Sequence, residues 1–241
     1  MPIATRSVRG RRPCNLYRRG VGLGLLALVS ATPVSAELTI SQLIVELKPT
    51  ESRVADIEIY NDSDERSFVS IEPREIVAAG REGERPFLSP DPAELGLLVS
   101  PARLVIEPQQ RRRLRIAAIG PAPRRERVYR VTVKPVAGDV TGADTGLKLL
   151  IGYDLLVLVR PPQAKPNVEV ARTGGTITIA NRGDASVELA EGKQCDAAGA
   201  NCLPLPSKRL YAGATWQQAV STSWAGEYRI RSTEGWSTIR F

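Results

Sequence analysis

Leu147-Lys148-Leu149-Leu150-Ile151-Gly152-Tyr153-Asp154-Leu155-Leu156-Val157-Leu158-Val159-Arg160, closed by Pro161-Pro162, is the stretch on which the fold turns. It reads as one long β-strand. In its first half Leu147, Leu149, Ile151 and Tyr153 share one face, and Lys148, Leu150, Gly152 and Asp154 share the other. Residues 155–159 are apolar on both faces, as in a strand buried inside a sandwich. The end near Arg160 is therefore expected in a core. The end near Leu147 is expected to present large aliphatic side chains along an accessible edge. Such an edge invites aggregation unless something is meant to pair with it. A membrane span is excluded, because the run is short and carries Lys148 and Asp154.

Upstream, the chain opens like a secretory leader. Arg6, Arg9, Arg11, Arg12, Arg18 and Arg19 form a basic region, residues 21–29 are apolar, and Val34-Ser35-Ala36 fits the small-residue cleavage rule. Cleavage is expected after Ala36, with export to the periplasm. Six of the 33 basic residues and none of the 26 acidic ones lie in residues 1–36, leaving 27 against 26, a net charge near +1. The basic character of the whole chain therefore belongs mostly to the leader, and nucleic acid is not an expected partner.

The remaining 205 residues (241 minus 36) contain no histidine, which rules out Ser-His-Asp or Cys-His catalysis and any histidine-ligated metal. No paired-acid motif stands out either, so no catalytic residue, metal or cofactor is expected. Cys14 leaves with the leader. Cys195 and Cys202 form an even pair in an exported chain and read as a disulfide, one that stabilises by roughly 2–3 kcal/mol. Their spacing is not that of a redox-active Cys-x-x-Cys pair.

From residue 37 on, strands and turns dominate. Expected strands are 38–47, 55–60, 68–77 (broken or at an edge because of Pro73), 97–100, 103–106, 112–116 and 128–133. Residues 78–96 read as a long polar loop, and 136–146 as a Gly/Asp/Thr loop delivering the chain to Leu147. About seven short strands over residues 37–160 suggest an immunoglobulin-like sandwich. Residues 161–166 are a stiff proline-rich linker. Residues 167–241 form a second, smaller β unit with expected strands at 168–171, 176–180, 187–190, 209–216, 228–231 and 236–241. Its modest core is where a disulfide is useful. The fold class is all-β: two immunoglobulin-like sandwich domains in tandem.

In order and spacing, several stretches resemble the PapD-like periplasmic chaperones of the chaperone/usher pilus pathway. Ser100-Pro101-Ala102-Arg103-Leu104-Val105-Ile106-Glu107-Pro108, followed by Leu114-Arg115-Ile116, is similar to that family's proline-bracketed strand pair. Glu126-Arg127-Val128-Tyr129-Arg130-Val131 is similar to the next strand, and residues 147–161 to the last strand and its Arg-Pro exit. Asn181, the Cys195/Cys202 pair and Lys208-Arg209-Leu210-Tyr211-Ala212-Gly213 are similar to second-domain features of some members. The resemblance implies donor-strand complementation: an exposed strand of the chaperone completes a pilin-like subunit before delivery to an outer-membrane usher. It makes Leu147, Leu149 and Ile151 the subunit-binding residues, the face already singled out by alternation. Burying three such side chains contributes on the order of 5–9 kcal/mol before association costs.

The resemblance also implies an interdomain ion pair of Arg115 and Glu126, with Glu234 as a further member. One feature departs from the family. Its well-known members hold the subunit's terminal carboxylate with an arginine on the first strand and a lysine near the end of the last. Here the lysine position falls on Leu156 and the arginine position near residues 42–45, which carry no basic side chain. Lys148, Arg130 and Lys134 are the nearest positive charges on neighbouring strands. That departure suggests a divergent or archaic branch. Two alternatives remain beside the chaperone reading: an exported immunoglobulin-like structural or binding protein, and self-association through the exposed edge. Trp216, Trp224 and Trp236 would line a sugar site in a binding module, but in a small β domain they are more often core or rim.

Overall fold

A computed structural model describes residues 38–136 and 150–241. The expected leader, Leu147, Lys148 and Leu149 lie outside the described residues. The first sandwich contains β1 (Leu38–Ile40), β2 (Ile44–Leu47), β3 (Val54–Asn61), β4 (Ser67–Val77), β5 (Arg85–Phe87), the single helical turn α1 (Pro92–Leu95), β6 (Leu97–Ser100), β7 (Arg103–Ile106), β8 (Arg111–Ala118), β9 (Arg127–Val136) and β10 (Tyr153–Val159). One sheet runs β1-β3-β8-β6, the other β2-β10-β9-β4-β5 with β7 also on β4. Pairing is antiparallel except that β2 runs parallel to β10. Leu38, Val45, Leu47, Ile57, Ile59, Leu114, Ile116, Val131, Val133 and the inward residues of β10 fill the space between the sheets.

Three local expectations change in this sandwich. Residues 38–47 form two strands in different sheets, because the buried positions shift phase. Leu38 faces the core, then Val45 and Leu47 do, and a period of two cannot join them. Strand β4 is central and continuous through Pro73. That residue falls between the positions paired to β7 (Ser67 to Ser70) and those paired to β5 (Glu75 to Val77), where a missing N–H breaks no ladder with either strand. The polar stretch 78–96 holds β5 and α1. Asp91 caps α1 by accepting from the Ala93 N–H at 2.8 Å, and Gly96 ends it at φ 78°.

The second sandwich contains β11 (Val168–Thr173), β12 (Thr176–Asn181), β13 (Val187–Cys195), β14 (Cys202–Leu205), β15 (Lys208–Leu210), β16 (Thr215–Ala219), β17 (Ala225–Ser232) and β18 (Gly235–Arg240). Its sheets run β11-β12-β16 and β14-β13-β17-β18, with β15 on β13. The expected strand 209–216 is split by a turn at Tyr211 to Ala214, so that β15 and β16 lie in different sheets. Cys195 and Cys202 are register partners and are bonded, closing the β13–β14 hairpin. Two tandem immunoglobulin-like sandwiches, as read from the strand pattern, are thus what the chain forms.

Each sandwich carries the same buried asparagine corner. Asn61, at the end of β3, donates from Nδ2 to Glu65 O (2.7 Å) and Ile106 O (3.0 Å), and accepts from the Ser63 N–H at Oδ1 (3.0 Å). Asn181, at the end of β12, donates to Ala185 O (2.8 Å) and Leu210 O (2.9 Å) and accepts from the Gly183 N–H (2.9 Å). Both are fully buried. The side-chain amide satisfies turn carbonyls that would otherwise be stranded from water.

Candidate functional site

Strand β10 behaves as its composition dictates. Leu155, Val157 and Val159 enter the first core. Leu156 and Leu158, on the opposite face, pack with Val128, Ala79, Ile76 and Tyr211 of the second sandwich. Among the described residues the strand begins at Tyr153, later than the alternation suggested. The register of β9 and β10 would set Ile151 opposite Pro135, which has no N–H to donate. Ile151 is 57% exposed, and Leu150 to Gly152 lie outside any strand. On its other side β10 meets β2 only from Leu156 to Val159. The edge at Tyr153 to Leu155 is therefore open among the described residues, flanked by the exposed Leu43 and Ile44. Tyr153 anchors this end by donating its hydroxyl to Leu38 O at 2.6 Å.

The outer face of the β10-β9-β4-β7 sheet is graded in cross-strand rows. At its far end Val105, Phe68 and Val136 form an exposed apolar row. Next come Arg103, Ser70 and Lys134, then Glu72, Thr132 and Asp154, then Arg74, Arg130 and Leu156. Arg74 Nη2 lies 2.9 Å from Asp154 Oδ1, and Arg130 Nη1 lies 3.7 Å from Asp154 Oδ2. Thr132 Oγ1 accepts from Arg74 (2.6 Å) and donates to Asp154 (3.1 Å). Tyr211 borders this group. Burial raises its phenol pKa, against the opposing influence of Arg130 and Arg209. Leu156 is buried where the resemblance places a lysine, and Lys134 is exposed two rows away.

Arg115 and Glu126 are not partners. Arg115 is exposed and forks onto Asp56, its register partner on β3, at 2.8 and 2.9 Å. Glu126 is buried and bonds to Arg160. Arg160 Nη1 also donates to Ser186 O (3.1 Å), and its Nη2 to Glu46 Oε1 (3.0 Å). The Ser186 N–H donates to Glu126 Oε2 at 3.1 Å. Arg160, Glu126, Glu46 and Ser186 thus join the two sandwiches, while Glu234 sits in an exposed turn, its N–H donating to Ser232 Oγ. Burial pushes the Glu126 carboxyl above its ordinary range, against the pull of Arg160. Burial also acts upward on Glu46, but the hydrogen bond and charge of Arg160 outweigh it and leave that carboxyl lowered.

Sequence reasoning missed Arg160, Glu46 and Arg74. Arg160 was visible as the one charge ending an apolar run before two prolines, a position where a buried cation needs partners. Arg74 shares the outward parity of Ser70 and Glu72, but only the register sets it opposite Arg130. Among the described residues no group of three or more His, Cys, Asp or Glu side chains is placed to hold a metal ion.

No family model matches the chain, and no curated protein matches it in sequence. Its fold is nevertheless that of solved pilus chaperones. It is similar to the class 5 fimbriae chaperone CfaA, with 19% identity and a TM-score of 0.64 over 84% of this chain and 98% of that one. The structure of the Salmonella enterica SafA pilin in complex with the SafB chaperone matches with 18% identity and a TM-score of 0.61, over 87% of this chain and 98% of the other. The archaic CsuC–CsuE chaperone–tip adhesion subunit complex of Acinetobacter baumannii matches with 13% identity and a TM-score of 0.57, over 85% and 98%. The chain thus has the two-sandwich fold of PapD-like periplasmic chaperones.

Proposed function

We propose that this protein is a non-enzymatic periplasmic chaperone that holds a pilin-like subunit by donor-strand complementation and delivers it to an outer-membrane usher. The observation that carries this reading is the open edge of β10, bordered by the exposed Ile151. Main-chain groups of this edge supply generic pairing, and Leu147, Leu149 and Ile151 fill successive pockets of the client. Arg130 and Arg74 take over the carboxylate-holding role that Leu156 cannot perform. Residues 1–36 are removed on export, and residues 161–166 link the domains 37–160 and 167–241.

The test is capture from periplasmic extract by the mature protein and by Leu149→Arg, with mass spectrometry of what is retained. A small β-rich partner held by the unmodified protein and lost in the variant is expected. No partner for either, with both folded, would overturn the mechanism. A self-dimer that persists in extract and excludes clients would move the edge to self-association.

A further inference from the structure

Arg74 and Arg130 are direct cross-strand partners on an outward sheet face, an arrangement that like charge disfavours. One carboxylate answers both, and it does so unequally. Asp154 sits 2.9 Å from Arg74 and 3.7 Å from Arg130. Thr132 holds it on the Arg74 side, because its hydroxyl bridges the two. Glu72, another acid on this face, contacts Ser70 at 3.5 Å, and Ser70 is the register partner of Arg103 and Lys134. Arg130 is left with a long contact to Asp154 and the neighbouring Tyr211, and both arginines remain partly open to solvent. A guanidinium in that condition is a ready anion donor, since charge-assisted pairs form at shorter range than 3.7 Å.

We propose that Asp154 is a specificity-determining residue of this sheet face. It cancels one of the two facing arginine charges, so that the Arg130 side accepts a singly charged carboxylate and disfavours a doubly charged anion such as phosphate. The inference rests on the reading above that Arg130 and Arg74 receive an anionic group of the client. In the free protein Asp154 is the pair's internal counter-ion. An incoming carboxylate adds to it on the open side of Arg130, and a second unit of negative charge there meets Asp154 with nothing to offset it.

The test titrates acetate and inorganic phosphate, separately and at fixed ionic strength, into the mature protein. The readout is the ¹⁵N-detected Nε–Hε resonance of Arg130, assigned with Arg130→Gln. In the unmodified protein acetate shifts this resonance saturably and phosphate binds no tighter. In Asp154→Asn, whose circular dichroism should match the parent, phosphate affinity rises on the order of tenfold, and acetate affinity changes less. An unchanged ratio of phosphate to acetate affinity in Asp154→Asn overturns the proposal. So does a lack of saturable acetate binding in the parent, or full retention of both affinities in Arg130→Gln, read there at the Nε–Hε resonance of the facing Arg74. Client capture by Asp154→Asn, run in parallel, separates the two readings. Retained client with an unaltered anion ratio sinks this inference and leaves the chaperone reading standing. Absence of any client for the parent sinks the chaperone reading.

Discussion

β10 and β18 hold the same place in the two sandwiches, the last strand of each, and they are built as opposites. Five consecutive residues of β10 are buried on both faces, and its leading end runs out at an exposed isoleucine. In β18 only Ile239 is half-buried, Arg240 closes the strand, and Trp236 is covered by the Arg229 guanidinium 4.4 Å from its ring centroid. Charge and cation–π cover are ordinary ways of blunting a sheet edge. The matching asparagine corners show that one plan is otherwise used twice. Of the two last strands, only β10 has an exposed aliphatic end left unblunted among the described residues, so that feature is not a by-product of the shared plan.

The comparison breaks hardest at the edges themselves. Ile151→Arg is expected to weaken client capture roughly 100-fold, since an aliphatic pocket contact is replaced by a desolvated charge. The matched change on β18, Thr238→Arg, should leave capture unaltered. Equal effects of the two, measured in the same pull-down, would remove the distinction between the strands.

Next in size are the corners. Asn61→Ala and Asn181→Ala each strand buried carbonyls and should cost about 2–4 kcal/mol in denaturant unfolding. Asn61→Ala is expected to cost more, because Asn61 Nδ2 also reaches Glu107 O at 3.3 Å. Removing the Cys195–Cys202 bridge should cost roughly 2–3 kcal/mol and fall on the second sandwich, whose core is the smaller of the two. A first sandwich that loosens to the same extent, seen by amide exchange, would contradict this.

The smallest effect lies at the junction. Glu46 is lowered from its ordinary value of 4.5 by Arg160. Its stabilising contribution is therefore present above that value and lost as pH falls through the lowered one. Glu126, raised by burial, runs the other way, and its contribution grows as pH falls. Glu46→Gln should cost about 0.5–1 kcal/mol near neutrality, given the partial exposure of this carboxylate. The difference in Tm from the parent should vanish on acidification. A difference that widens in acid would reverse the assignment.

The parts that were legible share a physical cause. Leu155 to Val159 declared a two-sided core because every residue is apolar, and the cysteine pair declared a bridge because a short hairpin brings it together. Arg115 misled because its exposed fork with Asp56 depends on which strand lies beside β8. The partners of Arg160 were silent because Glu126 and Ser186 reach it from 34 and 26 residues away. That Arg74 faces Arg130 was missed for the same reason, since they lie on strands whose registration the local pattern does not encode.

The sequence by itself determined the strand class, the two-sandwich plan, the disulfide and the two-sided burial of Leu155 to Val159. These follow from a period of two and from turn chemistry, which are local. Only the tertiary structure decided that the chain changes sheets near Ser41, that β2 stops short of Tyr153 and leaves the edge open, and which acid meets which arginine. Those depend on register between distant strands, and one residue of slip would send every one of these side chains to the other face.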